Sequence, residues 1–219
     1  NERLNKDKPH SKLWRIDFRD RHSVQKLTEG FDCIINASAM TGGSIAVKKD
    51  PVGYITDNVL INNNLIEAAH INKIERFIFL SSSIIYPPHN NNPVQEDDVN
   101  PLNIHPDYEC WAELKLFFEK MCQFCARIGD THFTIIRPSN IYGPYDHFDL
   151  VRGHVFAATI TKIMTATDSM VVKGDGSERR DFLHVYDLIK AIESAVTQKL
   201  PKYKVLNIGS GILVTIKEL

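Results

Sequence analysis

Scarcity sets the first limits on this chain. It has only four cysteines (Cys33, Cys110, Cys122 and Cys125) and a formal net charge of only −1 over 219 residues. So few thiols in a chain of this size argue against a disulfide framework and for a reducing, cytoplasm-like compartment. Cys122 and Cys125 form a C-x-x-C, but no second pair or nearby histidine cluster completes a zinc set. Their spacing lies within a helical apolar pattern, so plain helix packing is the expectation and no metal site is expected. No run of lysine and arginine is dense enough for a nucleic-acid footprint. No apolar stretch reaches the ~18 residues of a membrane-spanning helix, and no signal-peptide pattern opens these residues. Asn36-Ala-Ser formally matches a glycosylation acceptor, yet it follows a strand that reads as buried, so modification is not expected there.

What is present is an ordinary globular composition, 43% hydrophobic, in which short apolar runs alternate with helix-length amphipathic segments. That alternation predicts an α/β fold, a parallel sheet with crossover helices. Strands are expected at residues 13–16, 31–36, 76–81, 133–137 and 205–208, with a short extended piece at 170–172. Helices are expected at 23–28 with a serine cap, 53–71, 107–128, 151–167 and 185–197, and a further one starting at 215–219. A polar loop rich in Asn, Pro and Asp fills residues 89–106. There are no internal repeats and no linker that separates two independent domains.

Several short patterns carry chemistry. Asp17-Phe18-Arg19-Asp20 follows a strand and offers a carboxylate acceptor. Asn36-Ala-Ser-Ala-Met-Thr-Gly-Gly43 places small side chains just after a strand, where a ligand can approach the backbone. Tyr54 and Asn58 begin a helix that continues through Asn64-Leu-Ile-Glu-Ala-Ala-His70. Phe79-Leu-Ser-Ser-Ser-Ile-Ile-Tyr-Pro87 ends a strand in three hydroxyls. Trp111, Lys115 and Glu119 are spaced by four and share a helix face. Arg137-Pro-Ser-Asn-Ile-Tyr-Gly-Pro144, Gly153-His-Val155 and Gly174-Asp-Gly-Ser-Glu-Arg-Arg-Asp-Phe-Leu-His-Val185 complete the series.

In this order the patterns resemble the extended short-chain dehydrogenase/reductases, the NAD-dependent epimerase/dehydratase group, and within it most closely the GDP-L-fucose synthases. The similarity runs from Trp14 to Leu219. It implies a Rossmann-like doubly wound fold, with residues 1–145 forming part of a dinucleotide-binding domain. Residues 146–219 would form part of a nucleotide-sugar-binding region whose segments return to the sheet. It further implies NAD or NADP as cofactor, a nucleotide-diphosphate sugar as substrate, and a homodimer formed through the helices at 53–71 and 107–128.

Residue by residue, the resemblance makes Asp17 and Phe18 the adenine-side contacts. Ala37, Ser38 and Ala39 become the close-approach residues, and Asn58 a brace for neighbouring backbone beside the cofactor. Ser82 falls on the catalytic hydroxyl that steadies the sugar oxygen. Its neighbours Ser81 and Ser83 would touch cofactor and substrate respectively. Pro138, Asn140 and Ile141 would close over the nicotinamide, with Asn140 also reaching substrate. His154 would be an acid for epimerisation, Val155 a substrate contact, and Arg180 the clamp on the diphosphate.

Three departures stand out. The family's tyrosine, four residues before its lysine, is Trp111 here, and an indole N–H donates but is no base at neutral pH. The family's partner cysteine, two residues after the catalytic serine, is Ile84, so the thiol for double epimerisation is not carried over. The Gly-x-x-Gly-x-x-Gly turn that presents backbone N–H groups to cofactor phosphates is absent from these residues. The expectation is a piece of a longer parent that binds NAD(P) poorly by itself. Three readings follow. One is a nucleotide-sugar epimerase, dehydratase or reductase in which Tyr108, His154 or a water moves the proton. Another is a weakened homologue that binds nucleotide sugar without turnover, and the third a short-chain reductase branch with no sugar substrate. Retention of the serine, lysine and clamp arginine favours the first.

Overall fold

A computed structural model describes residues 12–40, 50–88, 93–148, 150, 153–171 and 174–219. Its elements run α1 (Arg21–Thr28), β1 (Cys33–Asn36), α2 (Pro51–Ile71), β2 (Arg76–Leu80), α3 (Glu109–Ile128), β3 (His132–Pro138), β4 (Asn140–Tyr142), α4 (Val155–Thr165), β5 (Arg179–His184), α5 (Val185–Thr197), β6 (Tyr203–Ile208) and β7 (Leu213–Thr215). Two 3₁₀ turns, Ser83–Ile85 and Pro106–Tyr108, flank the loop between β2 and α3.

Strands β1, β2, β3 and β6 lie side by side in that order, all parallel. Side chains alternate across a strand, and the central strands spend both sets on burial. Phe77, Phe79, Phe133 and Ile135 join one apolar cluster with Ile61, Leu65 and Ile66 of α2 and Phe118 and Cys122 of α3. Ile78 and Ile136 point the other way, into a cluster with Leu183, Leu188 and Ala195. Helices therefore cover both faces, which is why β2 reads as an unbroken apolar run rather than an alternating one. This is the expected Rossmann-like doubly wound α/β fold. Strand β5 pairs in parallel with β4 and antiparallel with β7, forming a smaller sheet beside the C-terminal ends of β3 and β6.

The polar residues of α2 explain how it packs so deeply. Asn62 accepts from Asn36 Nδ2 (2.9 Å) and donates to the Asn58 carbonyl (2.8 Å), while Asn64 donates to the Phe18 and Arg19 carbonyls (both 3.0 Å). Each buried amide thus has partners, the condition for burying one without penalty. The Asn36 amide is committed here and its residue is buried, in line with the discounted glycosylation match. Cys122 and Cys125 are likewise buried in the main cluster as packing groups.

Several expectations need correction. Residues 13–16 pair with no strand among the described residues. Trp14 instead sets its ring edge-on to Phe31 (6.0 Å), and Ile16 packs on the core through its side chain. Strand β1 spans four residues rather than six, and Ile35 is exposed because β1 is the sheet edge among the described residues. The cap of α1 is Asp20, whose carboxylate accepts from the His22 N–H (3.1 Å), whereas Ser23 donates its hydroxyl to that same group. Helix α3 begins at Glu109 after a 3₁₀ turn, and α4 is shorter at both ends than expected. Met170 and Val171 belong to no strand. Thr41, Gly42 and Gly43 of the small-residue motif, residues 89–92, Val151, Arg152 and Val172 lie outside the described residues. At residues 215–218 a capping box forms: the Thr215 N–H donates to Glu218 (2.9 Å) and the Glu218 N–H to Thr215 Oγ1 (3.1 Å). The helix-start pattern is thereby met in geometry, although residues 213–215 themselves form a strand.

Candidate active site

Of the expected site residues, Ala37 to Ala39, Ser81 to Ser83 and Pro138 to Ile141 lie at the C-terminal ends of β1, β2 and β3, where open parallel sheets bind ligands. Strand β2 delivers the three serines. Ser81 is buried and gives its hydroxyl to Glu119 Oε1 (2.5 Å), so its side chain faces inward. Ser82 leaves the strand in extended conformation, and its Oγ accepts from the Ile84 N–H (3.3 Å) to cap the 3₁₀ turn. Accepting there leaves the Ser82 O–H to donate elsewhere, and it meets no acceptor among the described residues. Ser83 and Ile84 follow within that turn, half-buried.

Helix α3 supplies the second half. Its register carries Lys115 over the Phe79 ring (4.8 Å to the centroid) to donate to the Leu80 carbonyl at 2.8 Å, one peptide away from the serines. Desolvation lowers the Lys115 ammonium to a pKa of about 8, against the opposing charge of Glu119. Trp111 lies one turn towards the helix start, half-buried, with its indole edge-on to the Tyr54 ring (6.4 Å). Tyr108 ends the preceding 3₁₀ turn, 47% exposed and beside His105.

The cofactor-side expectations fall as follows. Ala37 and Ala39 are exposed just past the end of β1, and Ser38 Oγ donates to Asn36 Oδ1 (2.6 Å). The Asn58 amide is fully spent on backbone: Oδ1 accepts from the Met40 N–H (3.1 Å), and Nδ2 donates to the Met40 (2.9 Å) and Tyr54 (2.8 Å) carbonyls. Asn58 therefore shapes the loop after β1 from beneath. Replacing it with alanine is expected to cost about 1 kcal/mol, since it leaves part-buried backbone groups without their partner, readable as a lower denaturation midpoint. Asp17 is exposed and gripped by Arg19 through Nε (2.9 Å) and Nη2 (2.7 Å). Those bonds hold its carboxyl down at about 2. Phe18 packs on the core.

Asp181 is a residue that the sequence reading passed over. Its carboxylate accepts from Ser139 Oγ (2.7 Å) and the Ser210 and Gly211 N–H groups (2.9 and 2.7 Å), and its carbonyl accepts from Asn140 Nδ2 (3.0 Å). One side chain thus ties the turn holding buried Pro138 and exposed Asn140 and Ile141 to β5, which carries Arg180. Arg180 is exposed and donates to Glu178 (2.9 Å). His154, at the start of α4, is exposed and makes no cap with its side chain, and Val155 is exposed beside it. The described contacts link neither of these two to Ser82 or Lys115.

The family model for the NAD dependent epimerase/dehydratase family matches residues 1–209. Among curated proteins, the chain is 32% identical over 204 residues to a GDP-L-fucose synthase of Escherichia coli (strain K12), covering 88% of this chain and 64% of that protein. It is 30% identical over 190 residues to a GDP-L-colitose synthase of Yersinia pseudotuberculosis, covering 84% of this chain and 62% of that protein. The chain thus spans somewhat less than two thirds of the length of these relatives. Among solved structures, a dTDP-glucose 4,6-dehydratase from Streptomyces venezuelae with NAD bound superposes with a TM-score of 0.83 at 19% identity, over 97% of this chain and 62% of that one. At that identity the likeness speaks for the fold.

Proposed function

The chain belongs to the NAD dependent epimerase/dehydratase family, and on that premise we propose that it is part of an NAD(P)-dependent epimerase, dehydratase or reductase acting on a nucleotide-diphosphate sugar. The observation that carries this reading is the pairing of Lys115 with the serine end of β2. The ammonium is held 2.8 Å from the Leu80 carbonyl, and Ser82 beside it keeps its O–H uncommitted.

The residues present fit a dinucleotide. The exposed Ala37 and Ala39 leave the strand end open to close approach, and the loop beneath is braced by Asn58. Asp17, Phe18, Ala37, Ala39, Pro138 and Ile141 would hold the cofactor, with Lys115 reaching its ribose. When bound, the cofactor supplies the hydride exchange at a sugar carbon. Ser82 would donate to the oxygen on that carbon, and donors preset in a desolvated site are worth more than in water. Ser83, Asn140 and Val155 would line the sugar side. Trp111 moves no proton, and this is what favours a second reading, a homologue that binds nucleotide sugar without turnover. Turnover of a GDP-sugar panel by the full-length protein, followed by nicotinamide absorbance and product analysis, separates the two.

Arg180 would grip the diphosphate. Removing such a charge-assisted contact costs about 1.5–3 kcal/mol, so Arg180→Ala is expected to weaken nucleotide-sugar binding roughly 10- to 100-fold in calorimetry. Unchanged affinity would remove Arg180 from the site.

A homodimer through α2 and α3 is part of the same reading. On α3, Phe117, Phe124 and Ile128 are 52%, 52% and 57% exposed at spacings of seven and four, a stripe along one face. Phe124→Glu is expected to turn a dimer into a monomer in light scattering. A monomeric mass for the unsubstituted protein would dismiss the interface.

A further inference from the structure

Beneath the serine end of β2 runs a chain of buried polar groups that Ser82 and Lys115 do not themselves require. Glu119 Oε1 accepts from Ser81 Oγ (2.5 Å) and from Arg137 Nε (3.1 Å), and Oε2 accepts from Arg137 Nη2 (2.6 Å). Arg137 Nη1 donates onward to the Tyr86 hydroxyl (2.8 Å) and the Glu96 carbonyl (2.7 Å). Tyr86 donates to Asn207 Oδ1 (2.5 Å), and Asn207 donates to the Val94 carbonyl through Nδ2 (3.0 Å) and to the Glu96 carboxylate through its N–H (2.8 Å).

The two charges at the centre are 4% (Glu119) and 5% (Arg137) exposed. Stability alone is a poor reason for them, because apolar side chains of similar volume commonly fill such a place at no loss. Their geometry supplies another reason. They join four segments around the candidate site: α3, the end of β2 with its 3₁₀ turn, the end of β3, and residues 94–96 held against β6. Glu119 also lies one helical turn from Lys115, on the same face of α3.

We propose that Glu119 is a positioning residue of this site: clamped by Arg137, it anchors Ser81 so that the adjoining Ser82 hydroxyl and the Lys115 ammonium are presented together. Glu119 touches no reacting atom. It acts through Ser81 on the strand end and through its charge on Lys115, whose ammonium it supports against desolvation. The inference rests on the reading of Ser82 and Lys115 given above.

The test uses the full-length protein with Glu119→Gln, which keeps shape and removes charge, and Ser81→Ala, which keeps charge and removes the anchor. Lys115 is followed by NMR of lysine labelled at Cε across pH, and kcat and KM are measured on the GDP-sugar panel. In Glu119→Gln, Lys115 is expected to titrate about 1 pH unit lower, the effect of one charge ~6 Å away in a partly hydrated dielectric. In Ser81→Ala the midpoint is expected to hold, the Lys115 signal to move, and kcat to fall about 10-fold with KM nearly constant. A Lys115 midpoint unmoved in folded Glu119→Gln overturns the proposal, as does a Ser81→Ala protein with an unmoved Lys115 signal. If Glu119→Gln does not fold, Ser81→Ala decides alone. Absence of turnover in the unsubstituted protein would sink the enzymatic reading only, because the NMR arm needs no activity.

Discussion

Replacing Trp111 with tyrosine is expected to raise kcat for nucleotide-sugar turnover by about 10²- to 10⁴-fold while leaving KM nearly unchanged, the range that a positioned general acid–base group contributes. The register of α3 is the reason. Residues 111 and 115 are one turn apart, so their Cβ atoms approach to about 5–6 Å. A phenol at 111 would lie beside the Lys115 ammonium. That cation would draw the phenol below its ordinary pKa of about 10, towards working pH. An indole there offers only an N–H donor. Because the phenol would act only as the proton moves, the gain should fall on kcat rather than on substrate binding.

Trp111→Phe is the control. It shortens the ring as tyrosine does and loosens the contact with Tyr54, yet it supplies no hydroxyl. Its turnover should stay with the unsubstituted protein. A gain in both variants would mean that ring size had been blocking the site. Equal, substantial turnover in all three would mean that the proton travels by another group. Tyr108 would be mutated first, since it is the N-cap residue of the same helix, three residues before Trp111, and exposed His154 second. Silence in all three would defeat the hydride-exchange reading itself.

The sequence disclosed the sheet and its helices because burial on both faces leaves a strong signature. The run Arg76-Phe-Ile-Phe-Leu has no polar alternation, and α5 matches its expected bounds residue for residue. The smaller sheet left no such mark. Strand β4 has three residues between Pro138 and Gly143, too few to show a period, and β5 carries Arg-Arg-Asp, which reads as a charged loop. The ladder with β7 across more than thirty residues is a tertiary fact that local pattern does not encode. The site was legible through Ser82 and Lys115, whose motifs are contiguous. Asp181 was not, since its four partners come from two stretches far from it in sequence, residues 139–140 and 210–211. Glu119 and Arg137 did leave a clue. Each interrupts an apolar face, Glu119 among Phe118 and Cys122 and Arg137 after Phe133-Thr-Ile-Ile, and a charge in such a place needs a partner.

Removing one member of that pair is accordingly expected to be the most damaging single change to stability. Arg137→Ala would leave the Glu119 carboxylate buried with only the Ser81 hydroxyl, and would strip a donor from both Tyr86 and the Glu96 carbonyl. An uncompensated buried charge costs about 3–5 kcal/mol. For a chain of this length that lowers the melting temperature by roughly 10 °C. Glu119→Leu should cost a similar amount, because it strands the guanidinium. The double variant Glu119→Leu, Arg137→Met removes both charges and refills the space, so it should be more stable than Glu119→Leu alone or Arg137→Met alone. Additive losses would mean that the two residues stabilise the fold independently, each through its hydrogen bonds to other groups. Rescue in the double variant would instead locate the cost in the stranded charge. It would also supply a folded protein without the clamp, in which Ser82 and Lys115 are held by packing alone. If the clamp positions the site, that protein should be as stable as its parent within about 2 kcal/mol and yet lose turnover.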